Sequence, residues 1–382
     1  MSSTESSKPG RYQGVQVLRA LAVALVVWTH LKYAGDFSGV SWIQSHAGGA
    51  GVDIFFVISG FVICASAESL GFGARRFFVN RVTRIAPLYW LTTLPLLASM
   101  LKNGRAPSPG SFVNSFLFLP VADFGGMSPS INAMGWSLSF EFWFYTLFTI
   151  ALLALRQNAW KAVLATLLAA SLLIGLVYDG RYFFPRFIAN PLTLEFGAGV
   201  LIYQFRHRIT PAIAGVAVLG ALVLAVLGLQ AGTDREPFGD YIGNYFAGVG
   251  RASTWGLLGV CLVLVVVHFD QAARVRWPKA LLRMGDYSYS LYLIQPYGLW
   301  IATKLQSKTQ WPAWVTGLSF VVSTLVLGSL LSILVEGRLT ALARRVFRRP
   351  GADRSPRSGD GPAAAADAGA HGLEKPLPSP AD

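Results

Sequence analysis

The chain has 382 residues, of which 53% are hydrophobic and only 13% are charged. Soluble domains carry about a quarter of their residues as charged groups, so this composition excludes an ordinary soluble protein and indicates a membrane protein. The net charge of +13 is dispersed over short segments between apolar stretches, which is typical of membrane topology and argues against nucleic-acid binding.

The N-terminal segment MSSTESSKPG is polar and lacks the features of a signal peptide, so the first apolar stretch is predicted to be retained. The two cysteines, Cys64 and Cys261, lie in apolar runs and predict neither a disulfide framework nor a cysteine metal site. The fold class predicted is all-α, a polytopic helical bundle of about ten transmembrane helices. The predicted spans are 15–33, 48–67, 86–101, 136–155, 159–177, 188–204, 210–230, 252–268, 286–303 and 313–335.

The positions of lysine and arginine set the orientation of these spans. With the N-terminus inside, most of the 32 basic residues fall on the inner side, so both termini are predicted to be cytoplasmic. The predicted organisation is a cytoplasmic segment at 1–12, a transmembrane domain at 13–337 and a cytoplasmic tail at 338–382. The tail is basic and then disordered, since the residues from Gly351 onward have too little apolar surface to fold.

Three predicted spans place an ionisable residue a few positions below the outer surface. In RALAVALVVWTH, Arg19 and His30 share one helix face with a rise of about 16 Å between them. Asp53 and Glu141 are predicted at the same outer level as His30. Taken singly, His30 is compatible with an interfacial residue and Asp53 with a helix cap. Ionisable groups inside spans are rare and costly, so three at matched depth predict a functional site.

A second cluster is predicted on the inner side. In ARRFFVNRVTRIAPLYW, Arg81 and Arg84 lie three residues apart on a continuing helix. Inner loops collect arginines in any case, but arginine is also suited to bidentate capture of phosphate. With Arg19 in the inner half of its span, this arrangement suggests a track from a phosphate-bearing donor inside to a base near the outer surface.

Several segments together resemble the type-3 membrane acyltransferases. They are RALAVALVVWTH, GVDIFFVISGF, RVTRIAPLYW, WSLSFE and YSYSLYLIQP, and the resemblance covers residues 15 to 337. It implies O-acylation of a carbohydrate or another hydroxyl acceptor at the outer face of a bacterial inner membrane. The donor implied is cytoplasmic acyl-CoA, with acetyl-CoA expected, and no bound cofactor. The expected partners are acyl-CoA, a carbohydrate or lipid-linked glycan, and membrane lipids.

The resemblance also assigns residues by position. Arg19 and His30 match the Arg–His motif of the family, and Arg81 and Arg84 match its Arg-x-x-Arg motif, so the three arginines are expected to bind acyl-CoA. The positions matched in the second and fourth helices are Asp53, Ser59, Ser137 and Glu141, with Trp136 as a further supporting residue.

The sequence departs from many relatives at three positions. Phe142 and Trp143 stand where many relatives have a second acidic residue and then glutamine, and Gln295 stands where many have histidine. These departures place the chain nearer to the exopolysaccharide-production subgroup.

Acyl transfer to an alcohol needs the hydroxyl proton to be removed, and histidine, with an ordinary pKa of about 6.5, suits that task. His30 is therefore expected to be the general base, with Asp53 or Glu141 as its orienting partner. An acyl-histidine intermediate is the alternative to direct transfer. No metal is expected, because no second histidine joins the predicted site convincingly.

Two other classes of protein fit the composition. A transporter or flippase of polysaccharide precursors would use the same ionisable residues as a proton relay. Transporters, however, tend to hold coupling residues near the midplane within repeated halves, and no repeat stands out here. A non-enzymatic component of a polysaccharide assembly complex would explain the fold but not the matched depths.

Overall fold

The structure, a computed structural model, describes residues 12–35, 37, 40–123, 126–127, 130–177, 182–231, 240–242, 244–272, 275–309 and 311–347. Residues 1–11 of the predicted N-terminal segment and the predicted disordered tail lie outside the described residues. The helices are α1 (Gln13–Leu31), α2 (Ser41–Gln44), α3 (Ala50–Ser69), α4 (Ala74–Lys102), α5 (Pro109–Leu117), α6 (Gly135–Leu155), α7 (Ala159–Ala169), α8 (Gly175–Val177), α9 (Phe183–Ala189), α10 (Leu192–Gln204), α11 (Pro211–Ala231), α12 (Tyr245–Arg251), α13 (Leu257–Ala272), α14 (Lys279–Leu293), α15 (Gln295–Thr309), α16 (Ala313–Leu331) and α17 (Gly337–Phe347).

Short turns of other helical types connect several of these helices. The 3-10 turns are Ala47–Gly49, Arg156–Asn158 and Arg206–Arg208, and the π turns are Ala170–Ile174, Ala252–Gly256 and Ser332–Glu336. Strands β1 (Ala122–Asp123) and β2 (Gly126–Met127) form a two-residue antiparallel ladder with Ala122 opposite Met127. The described chain is otherwise helical or irregular, which confirms the predicted all-α class.

Six helical segments within the described residues are long and apolar enough to cross a membrane. They are Gln13–Leu31, Trp42–Ser69, Gly135–Val177, Pro211–Ala231, Tyr245–Ala272 and Ala313–Arg344. These segments cover seven of the predicted spans, and helices α4, α10, α14 and α15 overlap the other three. The chain is therefore a multi-pass membrane protein.

Helix α3 lies at the centre of the bundle and packs against α1, α10 and α13. Its contact with α10 depends on two glycines. A Cβ atom at Gly60 would lie 2.0 Å from the carbonyl oxygen of Phe196, and one at Gly199 would lie 2.0 Å from that of Val57. Small residues allow helix backbones to approach closely in a membrane, so this pair fixes α3 against α10.

The last helix extends into the predicted tail. Residues 338–347, predicted as the basic beginning of the tail, belong to α17, which follows α16 through a π turn and packs against α4. This contact brings the end of the described chain next to the helix that carries Arg81 and Arg84.

Candidate active site

Six of the predicted site residues line one cavity, here called the inner cavity, between α1, α3, α4, α6 and α14. It has a volume of about 90 Å³. The predicted residues that line it are Arg19, Ser59, Arg81, Arg84, Ser137 and Glu141. The residues of the Arg–His and Arg-x-x-Arg motifs therefore converge, with the exception of His30.

Two arginines of the inner cavity donate hydrogen bonds to neutral side chains. Arg19 donates from Nε to Oγ of Ser288 at 3.1 Å, and Arg81 donates from Nη2 to Oγ of Ser66 at 2.5 Å. Nε of Arg81 is buried and has no hydrogen-bond partner among the described residues. Glu141 is the one carboxylate among the described residues that line the cavity with the three arginines, and one buried donor has no partner, so the cluster is suited to receive an anionic group.

Glu141 lies in this inner cavity and not beside His30. Its carboxylate accepts from Oγ of Ser59 at 3.0 Å and from the hydroxyl of Tyr145 at 2.6 Å. The structure therefore separates Glu141 from His30, and the common depth of the two residues below the outer surface stays a prediction.

His30 lines a second cavity, the outer cavity, with a volume of about 130 Å³. Its Nδ1 lies 2.7 Å from Oε1 of the fully buried Gln295, which begins α15. In this orientation of the amide Oε1 accepts, so Nδ1 is the donor and the lone pair lies on Nε2 of the imidazole, while the amide nitrogen of Gln295 is buried without a partner among the described residues. The other residues of its wall include Lys32, His46, Met134, Trp136, Tyr241, Arg251 and Trp255.

Asp53 is fully buried and pairs with Arg251. The guanidinium donates from Nε to Oδ1 at 3.0 Å and from Nη2 to Oδ2 at 2.8 Å. The guanidinium carbon Cζ of Arg251 lies 4.1 Å from the ring centroid of Tyr241 and 4.9 Å from that of Trp255. Asp53 thus holds a cation in the wall of the outer cavity.

The partner expected for His30 is therefore corrected. Within the described residues, His30 has no hydrogen bond to Asp53 or Glu141: Asp53 pairs with Arg251, and Glu141 lies in the inner cavity with Ser59 and Tyr145. Gln295 was noted in the sequence only as a departure from the family pattern. The one sequence signal for Arg251 is that it directly precedes the predicted span 252–268.

The two cavities share a wall. Val52 and Tyr292 line both, and the hydroxyl of Tyr292 lies 2.8 Å from Oγ of Ser137. Consecutive residues of α6 also divide between them, with Trp136 in the outer cavity and Ser137 in the inner one. The cavity with the arginine cluster and the cavity with His30 therefore adjoin at Val52 and Tyr292.

A metal site needs several histidine, cysteine or carboxylate side chains close together. Among the described residues, no group of three or more histidine, cysteine, aspartate or glutamate side chains is placed to hold a metal ion. The expectation that the reaction needs no metal stays a prediction.

A family model described as an acyltransferase domain matches residues 12–333. The chain belongs to the acyltransferase-3 family. It is a membrane acyltransferase, and the two cavities lie within the matched region.

Several curated proteins are similar to this acyltransferase. The exopolysaccharide production protein ExoZ of Rhizobium meliloti (strain 1021) is 29% identical over 78% of this chain and 92% of its own length. Nodulation protein 10 of Rhizobium leguminosarum bv. viciae is 24% identical over 91% of this chain and 99% of its own. The peptidoglycan O-acetyltransferase OatA of Listeria monocytogenes is 25% identical over 72% of this chain and 47% of its own. No solved structure matches the sequence.

Proposed function

We propose that this protein transfers an acyl group, expected to be acetyl, from cytoplasmic acyl-CoA to a hydroxyl of a carbohydrate at the outer face of a bacterial inner membrane. The observation that carries the proposal is the pair of cavities divided by Val52 and Tyr292. One cavity presents three arginines and the other presents His30. A donor and an acceptor entering from opposite sides would meet at this partition.

The topology proposed with this function has ten spans and both termini in the cytoplasm. It places the N-terminal part of α4, which carries Arg81 and Arg84 and lies next to α17, on the cytoplasmic side. It places the beginning of α3 and the end of α1 near the outer surface. The inner cavity then opens toward the donor and the outer cavity toward the acceptor.

Arg19, Arg81 and Arg84 are proposed to bind the phosphates of acyl-CoA. Arginine binds phosphate through two parallel hydrogen bonds, and the partnerless Nε of Arg81 supplies a donor for that purpose. Glu141 is proposed as a positioning residue in the same cavity. Its carboxylate balances part of the positive charge while it fixes the hydroxyls of Ser59 and Tyr145.

The acceptor is proposed to bind in the outer cavity. Trp136, Tyr241 and Tyr292 supply aromatic surface on which the apolar face of a sugar ring packs, and His30 and Arg251 supply polar groups. Asp53 is proposed to act at a distance from the reacting atoms, by holding Arg251 in the cavity wall. The name of ExoZ, which refers to exopolysaccharide production, supports a glycan acceptor.

His30 is proposed to be the general base, and the reaction is written as direct transfer. Nε2 takes the proton of the acceptor hydroxyl as its oxygen attacks the thioester carbonyl carbon. The carbon–sulfur bond then breaks, and the imidazolium returns the proton to the leaving CoA thiolate. Gln295 holds the ring and its tautomer through Nδ1. As a neutral amide, it stabilises the imidazolium less than a carboxylate would.

The proposal is tested with purified protein, radiolabelled acetyl-CoA and a glycan fraction from a strain lacking the gene. Covalent label is expected in the glycan, and His30→Ala is expected to reduce its rate of appearance by about 100-fold or more. The control is His207→Ala, which changes a histidine in the 3-10 turn Arg206–Arg208, away from both cavities. Active protein that translocates a glycan precursor without labelling it would favour the transporter alternative.

A further inference from the structure

The guanidinium of Arg251 carries more hydrogen-bond donors than its partners use. A guanidinium has five N–H groups. The one on Nε and one on Nη2 donate to Asp53, and Nη2 also donates to the carbonyl oxygen of Gly49 at 3.3 Å. Nη1 makes no hydrogen bond to a described residue and is not enclosed by its neighbours. Since Arg251 lines the outer cavity, the two N–H groups on Nη1 are open to that cavity.

These two N–H groups are held in a fixed direction. Asp53 binds the opposite edge of the guanidinium through two hydrogen bonds. The rings of Tyr241, Trp255 and Trp136 surround the planar group, with centroids 4.1 to 6.0 Å from Cζ, and the side chain of Arg251 is only 4% exposed. Contacts of this kind restrain an arginine in one orientation. The donors on Nη1 are therefore in place before a ligand arrives.

The charge of this pair suits a negative charge that develops during a reaction. Asp53 is fully buried against the guanidinium, so the charges of the two side chains offset each other. A ligand with a permanent negative charge would lose its water and gain little net attraction from such a pair. Fixed N–H dipoles still stabilise a charge that forms on a nearby oxygen, because they need no reorganisation. The arrangement thus favours a transition state over a charged ground state.

The neutral partner of His30 leaves room for a second stabilising group. The proposed reaction forms an imidazolium at His30 and a negative charge on the oxygen of the thioester carbonyl. Gln295 is uncharged, so no carboxylate is bonded to the imidazolium among the described residues. The attacking hydroxyl must contact both Nε2 and the carbonyl carbon, so the negative charge forms close to His30. His30 and Arg251 line the same cavity of about 130 Å³, and one reacting group can therefore contact both.

We infer that Nη1 of Arg251 donates to the thioester carbonyl oxygen and stabilises the oxyanion of a tetrahedral intermediate. The inference rests on the proposed function and adds a catalytic residue to it. As the acceptor oxygen bonds to the carbonyl carbon, the π electrons move to the carbonyl oxygen and the hydroxyl proton moves to Nε2 of His30. When the carbonyl double bond forms again, the carbon–sulfur bond breaks and the thiolate takes the proton from the imidazolium. Arg251 keeps its protons throughout.

Two changes remove the donors on Nη1 without leaving a buried charge unpaired. Arg251→Lys keeps a cation beside Asp53, and the double variant Arg251→Gln with Asp53→Asn replaces the ion pair by two neutral amides. The matched control is Arg206→Lys. Arg206 also lies near a carboxylate and an aromatic ring, with Nη2 3.8 Å from Glu68 and Cζ 4.1 Å from the centroid of Tyr203, but it lines neither cavity. Acyl-CoA binding, which none of these changes should alter, measures the amount of folded protein.

The kinetic readout separates the transition state from the ground state. Both Arg251 variants are expected to lower kcat by about 100-fold or more, the usual effect of losing an oxyanion donor. The KM values for acetyl-CoA and for the glycan acceptor should stay nearly unchanged, and Arg206→Lys should behave as the wild type. A raised KM for the acceptor with kcat retained would show that Arg251 binds the acceptor in the ground state, and it would overturn the inference.

A spectroscopic readout separates loss of this donor from a general disturbance of the site. The probe is acetyl-CoA with ¹³C at the carbonyl, bound without acceptor, and its carbonyl stretch is measured by isotope-difference infrared spectroscopy in a detergent free of esters. A hydrogen bond from Arg251 should lower the frequency in the wild type and in Arg206→Lys, and the band should return toward that of free acetyl-CoA in Arg251→Lys. An equal shift in all three proteins would overturn the inference.

The two possible failures are distinguishable in the transfer assay. Wild-type protein that transfers no acyl group to the glycan would refute the proposed function, and the inference would fail with it. Wild-type protein that transfers the group, with a kcat that both Arg251 variants retain, would refute the role of Arg251 alone.

Discussion

Oε1 of Gln295 lies 2.7 Å from Nδ1 of His30, so a buried neutral amide holds the imidazole that faces the outer cavity. This contact fixes the ring and its tautomer without adding a negative charge. The choice of partner has a direct consequence for the pH dependence of the reaction, since a base must be unprotonated to act.

Replacing Gln295 with glutamate is expected to move the acid limb of the rate profile to higher pH. A buried carboxylate beside His30 stabilises the protonated ring, so a higher pH is needed to obtain the free base. The measurement is kcat against pH for the wild type and for Gln295→Glu. Gln295→Ala is the control: it removes the contact without adding charge, so its rate should fall without the upward displacement. An unchanged profile in Gln295→Glu would show that His30 is not the titrating base.

The arginines of the inner cavity are expected to affect donor binding more than chemistry. Arg84→Ala should raise the KM for acyl-CoA by about 10-fold or more and leave kcat comparatively unchanged, because it removes a contact made in both the bound and transition states. Titration of acyl-CoA against product measures this. The matched control is Arg75→Ala, an exposed arginine near the beginning of α4 that does not line the cavity. A loss of kcat alone would place Arg84 in the chemical step.

The pair of Asp53 and Arg251 is expected to show strong coupling in stability. Arg251→Met leaves Asp53 buried without its cation and next to the buried Glu195, so it should lower the free energy of unfolding by about 3 to 5 kcal/mol. Adding Asp53→Asn removes the uncompensated charge and should recover part of the loss. Melting temperatures in detergent, measured for the two single variants and the double variant, test this. Additive losses would show that the ion pair is not a unit.

Arg19, Arg81 and Arg84 could be singled out from the sequence, because the Arg–His and Arg-x-x-Arg spacings that contain them are local properties. The partners of the acidic residues could not. Asp53 and Arg251 are 198 positions apart in the sequence, and no local pattern pairs them. The separation of Glu141 from His30 depends on how α6 packs against α3 and α4, which the order of residues along the chain does not reveal.

The helical class and the positions of the apolar segments followed from composition and from the length of the apolar stretches. Each predicted span overlaps a helix. The apolar cavity between α11 and α13, which Ala225 and Trp255 line, was not predicted, because it depends on how these two helices are spaced around Trp255. Such spacing is set by glycines at contact points, including Gly49 and Gly228, and their partners are visible only in three dimensions.

The proposed orientation predicts which loops reporter fusions will place on each side. A reporter after Ala106 should lie outside, and reporters after Ala74, His207 and Arg349 should lie inside, as the distribution of lysine and arginine indicates. Alkaline phosphatase and green fluorescent protein fusions report the two sides with opposite signals. An outside signal at Ala74 would put Arg81 and Arg84 in the same compartment as the outer cavity and would contradict the proposed path of the acyl group.

The central claim is that the donor and the acceptor enter from opposite faces of the membrane and meet at Tyr292. It is tested most directly by transfer of the acyl group across a sealed membrane. The protein is reconstituted in one orientation, with the lipid-linked acceptor inside the vesicles and radiolabelled acetyl-CoA added outside, on the side of α17. The proposed mechanism predicts labelled acceptor within intact vesicles, and its loss in His30→Ala. Labelling that requires acetyl-CoA and acceptor on the same side, or that persists in His30→Ala, would contradict it.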